Sequence, residues 1–141
     1  MLLYIKYSLK KADYKLKLFA SSIWCLFILV LCLLPGSDLS KLSWLDFLGL
    51  DKLIHIAFYS IAAVLWSFSF TNNIKKPMFS SQLFILLFLT IYGFVIEYLQ
   101  LTFTDRHFDI LDGLANFLGT MLGIFYYYYV GYKSIFSTPL P

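Results

Sequence analysis

Three short runs hold most of the side chains able to do chemistry in this chain: Asp51 with His55, Glu97 with Gln100, and the stretch from Thr104 to Asn116 that contains Asp105, Arg106, His107, Asp109 and Asp112. Asp51 and His55 are four residues apart, so a helix stacks them on one face. A carboxylate in that position can hold an imidazole in one tautomer and raise its basicity, as a general base or a metal ligand requires. The plainer reading is that Asp51 caps a helix start and His55 bonds across a bundle. Glu97 is the only glutamate and lies in an apolar run, where a carboxyl lacking a partner takes up a proton. It is either an intramembrane acid with a function or one half of an ion pair with Lys52 or Arg106.

Asp109, Asp112 and Asn116 form a stripe at helical spacing. An acid at the first position of a helix satisfies free backbone amides and the helix dipole, which suffices to explain Asp109. The stripe then continues inward to Asp112 and Asn116, where capping no longer applies. Arg106 is the only arginine, and its guanidinium can grip a phosphate or carboxylate with two parallel bonds or neutralise nearby acids. His107 beside it reads as solvated. Gly119 and Gly123 fit the small-x-x-x-small pattern of closely packed membrane helices.

These residues fall into roles. His55, Glu97 and Asp112 are the candidates for catalysis, Arg106, Gln100 and Asn116 for holding a substrate, and Asp51, Asp109, Gly119 and Gly123 for orientation and packing. A divalent ion on Asp112, Glu97 and His55 is one option for the chemistry. No cofactor is identifiable. Cys25 and Cys32 share one helix, seven residues apart, and offer neither a mutual disulfide nor a zinc pattern.

The elements that must position these groups are membrane helices. Hydrophobic residues make up 60% of the 141 and charged residues 13%, against about 25% charged in a soluble domain, so the composition excludes an ordinary soluble fold. Apolar segments at 18–34, 54–70, 79–100 and 110–130 are each long enough to cross about 30 Å of hydrocarbon as a helix. The expected fold is all-α: a polytopic bundle of four transmembrane helices over 18–130, preceded by an amphipathic interfacial helix at 1–17 and followed by a short tail at 131–141. The segment between the first two spans, with Trp44, is expected to rest on the bilayer surface.

Lys6, Lys10, Lys11, Lys15, Lys17, Lys75, Lys76 and Lys133 all fall on one side of such a bundle, which the positive-inside rule makes cytoplasmic, together with both termini. The acids other than Asp13 fall on the other side, so every candidate for chemistry is expected to be extracytoplasmic, in a cell membrane. The formal charge of +3 therefore sums a basic rim and an acidic rim, and implies no nucleic acid.

Asp51-Lys-Leu-Ile-His55, Glu97-Tyr-Leu-Gln100 and Arg106-His-Phe-Asp-Ile-Leu-Asp-Gly-Leu-Ala-Asn-Phe-Leu-Gly119, in that order, resemble the recurring elements of the VanZ-like membrane protein family. The resemblance covers about residues 18–130. It implies a small polytopic protein of the cell envelope, in a family whose founding member is linked to resistance to the glycopeptide teicoplanin. It implies no defined reaction.

Two functions compete at this level. One is a site that acts on or binds a lipid-linked or amphiphilic envelope molecule, with His55 and Glu97 as base and acid, Asp51 orienting His55, and Arg106 on a phosphate. The alternative is a non-catalytic scaffold or partner-binding protein whose polar cluster is structural. Partners are the bilayer and such a ligand, and the oligomeric state is open.

Overall fold

The computed structural model describes residues 2–34, 50–70, 79–104 and 108–136. It is an all-helical bundle of α1 (Leu2–Cys32), α2 (Leu50–Phe70), α3 (Phe79–Phe103) and α4 (Ile110–Phe136). Each contains a stretch long and apolar enough to cross a membrane, namely Asp13–Cys32, Leu50–Phe70, Phe79–Phe103 and Ile110–Val130. The four expected spans are all present. The segment 2–17, expected as an interfacial element of its own, is helical and runs into the first span without a break. The surface loop around Trp44 lies outside the described residues, as do Lys75 and Lys76.

Two boundaries differ from the hydropathy reading in a way that matters for the site. Helix α2 begins at Leu50, so Asp51 and Lys52 belong to its first turn, and α3 continues to Phe103. Hydropathy alone trims charged ends from a helix, whereas a carboxylate in the first turn stabilises one by facing its free amides.

The most extensive contact in the bundle is between α2 and α4. Glycine makes it possible. A β-carbon on Gly119 would collide with the Ile56 carbonyl, and one on Gly123 with the Ser60 carbonyl and, at 2.8 Å, with Ala63 Cβ. With hydrogen at both positions the backbones come close enough for Ser60 Oγ to donate to the Gly119 carbonyl at 2.9 Å. Gly113, a turn and a half earlier, lies against the ring of Phe94 on α3.

Helix α1 is tied on by bonds to carbonyls. Trp24 Nε1 donates to the Phe58 carbonyl at 3.0 Å and the Tyr92 hydroxyl to the Cys25 carbonyl at 2.6 Å. Ile28, Tyr59, Ala62, Ile85, Leu89 and Ile96 form the core between them. Near the end opposite the site, Ser21 bonds Ser69 at 2.9 Å and Ser67 donates to Gln82 at 2.8 Å, so these two buried pairs join helices. Large apolar side chains such as Phe19, Ile91 and Phe125 lie on the outside of the bundle, where they contact lipid.

Candidate functional site

The starts of α2 and α4 and the ends of α1 and α3 meet at one end of the bundle, and the polar residues collect there in layers. In the outermost layer Lys52 Nζ bridges two carboxylates of the α4 entrance, Asp109 Oδ2 at 2.9 Å and Asp112 Oδ1 at 3.0 Å. Asp109 is also the cap of α4, its Oδ1 accepting from the Leu111 amide at 2.8 Å. The Lys52 ammonium, and after it the Leu111 N–H, hold the Asp109 carboxyl below its usual range. The capping expected of Asp109 is thus joined to an interhelical ion pair.

One layer deeper lie His55, Asn116 and Glu97, each set about 8 to 9 Å of helix in from its terminus by the 1.5 Å rise. His55 is 5% exposed, Asp112 4%, Asn116 1% and Glu97 0%, so four polar groups are withdrawn from both lipid and water. His55 Nδ1 donates to Asn116 Oδ1 at 2.8 Å. An amide oxygen only accepts, so this bond places the proton on Nδ1 and leaves Nε2 as the basic nitrogen. Nε2 faces Asp51 Oδ1 at 3.8 Å and Asp112 Oδ2 at 4.0 Å.

Deeper again, Tyr59, Asn116 and Gly93 meet. A methyl on Gly93 would lie 3.0 Å from Asn116 Nδ2 and 3.3 Å from the Tyr59 hydroxyl. Both of those polar atoms are buried without a hydrogen-bond partner among the described residues. Tyr59 follows His55, and Gly93 precedes Glu97, by one turn on the same face.

Gln100 turns elsewhere. Its Nε2 donates at 2.9 Å to the carbonyl of Cys32, the last residue of α1, and so satisfies one of the carbonyls that every helix end leaves open. Arg106 and His107 lie outside the described residues. The structure therefore brings His55, Asp112, Asn116 and Asp51 into one cluster, places Asp109 at its rim, and keeps Gly119 and Gly123 in the α2–α4 seam.

Two residues of this end were not among the sequence candidates. Lys52 entered the sequence reading only as a counter-ion for Glu97, yet its described partners are Asp109 and Asp112. Its signal was present in the Asp-Lys-x-x-His spacing. Tyr59 gave a weaker one, the continuation of the Asp51 and His55 face by one further turn.

An apolar groove of about 430 Å³ runs between α2 and α4, with Ser60, Ile61, Val64, Leu122 and Tyr126 in its walls. It begins five residues beyond His55 along α2, about 8 Å further along the helix.

A multi-pass membrane bundle with a buried polar cluster at one end is the class that this fold defines. Within it, the chain belongs to the VanZ/LLP1 family, whose profile matches residues 19–131. The family resemblance of the three motifs is borne out. No curated protein and no solved structure matches the chain.

Proposed function

We propose that this chain is a multi-pass protein of the plasma membrane whose polar cluster opens to the extracytoplasmic face and receives the head of a lipid-linked or otherwise amphiphilic envelope molecule. One observation carries the ligand class: the polar layers around His55 and Asp112 and the apolar groove beside Ile61 and Leu122 are built on the same two helices, one above the other. A head that hydrogen-bonds and a tail that does not would each find a matching surface. Asn116, with Arg106, is assigned to holding the head, while Gln100, which donates to the Cys32 carbonyl, ties α3 to α1 instead. A chemical step there would use His55 as base and Glu97 as acid, with Asp112 beside the histidine.

The orientation rests on lysine. Eight lysines flank the cytoplasmic ends of the spans in this arrangement, including the five in 1–17, a segment suited to an anionic leaflet. The teicoplanin link of the family's founding member points to the same compartment.

A scaffold role is favoured by a different observation, namely that Lys52, Asp109 and Gln100 all tie helices together. Profiles of lipids and cell-wall precursors from cells expressing wild type, His55→Ala and Glu97→Gln at matched levels separate the two. Binding or turnover of an amphiphile predicts a species that co-purifies or changes with wild type and is lost in both variants. Identical profiles, with no co-purifying species in wild type, support the scaffold.

A further inference from the structure

We infer that Asp51, His55 and Asp112 form a binding site for one divalent transition-metal cation of the zinc class, with Asn116 holding the histidine from behind. The site concerns the same end of the bundle as the proposed ligand but rests on the ligand set alone.

The first support is geometric. One oxygen of each carboxylate and one nitrogen of His55 lie within 4.8 Å of one another, contributed by two helices that glycine packing locks together. Donor atoms about 2.1 Å from a tetrahedral ion stand roughly 3.4 Å apart, so these three must draw in by about 0.4 to 1.4 Å. Asp51 is able to make that movement, since its side chain is only partly covered, while His55 and Asp112 are set in the interior.

The second support is the direction of the histidine. Asn116 Oδ1 accepts a hydrogen bond from Nδ1–H, so the Nε2 lone pair of a neutral ring faces two carboxylates. Nε2 makes no hydrogen bond among the described residues, although the side chain is more than nine-tenths buried. Three electron-pair donors facing one point favour a cation between them. A back-side hydrogen bond of this kind is the usual device for aiming a metal-binding imidazole. Asp112 is held in the same way, its other oxygen engaged by Lys52.

One nitrogen and two carboxylate oxygens suit zinc or manganese, and three protein ligands would leave a further coordination position for water or a ligand. Glu97 is not a member of the set. The competing occupant is a proton on Nε2.

The test uses full-length protein without a histidine tag, purified in detergent and stripped with a chelator. Equilibrium dialysis against Zn²⁺ and Mn²⁺ with elemental analysis is expected to return about one ion per chain. His55→Ala, Asp112→Asn and Asp51→Asn should each weaken binding at least about tenfold, and Asn116→Leu by about 10- to 100-fold through the lost orientation, while Glu97→Gln stays within about threefold. Elution volume and helical circular dichroism check that each variant is folded. Wild type that binds less than about a fifth of an ion per chain overturns the proposal whether or not the variants fold, and leaves the proton as the occupant. So does stoichiometric binding that survives His55→Ala, or that is lost in Glu97→Gln and kept in Asp51→Asn. Failure here leaves amphiphile binding untouched, because no lipid or precursor enters the measurement.

Discussion

The Nδ1 of His55 and the Oδ1 of Asn116 are 2.8 Å apart, joining α2 to α4 through a hydrogen bond buried inside the bundle. One bond thereby does two things: it fixes the depth at which the helices meet and selects which imidazole nitrogen is basic.

Replacing Asn116 with Leu should therefore destabilise the bundle by about 1 to 3 kcal/mol, the usual cost of leaving a buried partner unsatisfied. Denaturant titration in detergent measures this. In wild type, the ¹⁵N shifts of the His55 ring should report a proton on Nδ1, and a neutral ring protonated at Nε2 alone would show that the amide stands the other way round.

Packing at the two seam glycines makes a sharper prediction. Gly119→Ala and Gly123→Ala each drive a methyl into the backbone of α2 and should cost about 1 to 3 kcal/mol by overpacking. Gly113→Ala meets only the ring of Phe94, whose edge can swing aside, and should cost less than either. Equal losses at all three sites in unfolding measurements would contradict the fit of α2 against α4.

Acid should weaken the entrance to α4. The Asp109 carboxyl is held below its ordinary value of 3.8 chiefly by Lys52, so its charge stabilises the folded state at and above that ordinary value. The contribution is lost as pH falls from there through the lowered folded value. Asp109→Asn keeps a competent cap and should remove this acid-dependent part alone, whereas Asp109→Ala also removes the cap, worth about 1 kcal/mol. Melting temperature against pH separates them.

Filling the groove tests the ligand reading without touching the polar layers. Leu122 is half exposed toward lipid, so Leu122→Trp should leave folding within about 0.5 kcal/mol of wild type. It should nevertheless reduce the amount of any amphiphile that co-purifies. An unchanged yield of bound species would place its tail elsewhere.

Topology has its own measurement. A reporter active only outside the cytoplasm, fused after Lys76, is expected to be silent, and the same reporter fused in the segment between α1 and α2 to be active. The reverse pattern would overturn the orientation and move the polar site to the cytoplasmic side.

Hydropathy and spacing, read along the chain, determined the four spans and much of the site, because both are properties of single helices. A span needs only enough consecutive apolar residues, and the pairing of Asp51 with His55, or of Asp112 with Asn116, needs only a four-residue step on one helix. The glycines at 119 and 123 declared a close helix contact for the same local reason. Which partner each side chain meets was decided only by the tertiary structure. Lys52 reaches Asp109 and Asp112 on another helix, Gln100 satisfies the end of α1, and Tyr59 meets Asn116 beside Gly93. Those meetings depend on how far each helix is rotated about its axis and how deeply it is set against its neighbours. Side-chain volume at the contacts fixes those two quantities, and neither is written in the sequence of any one helix.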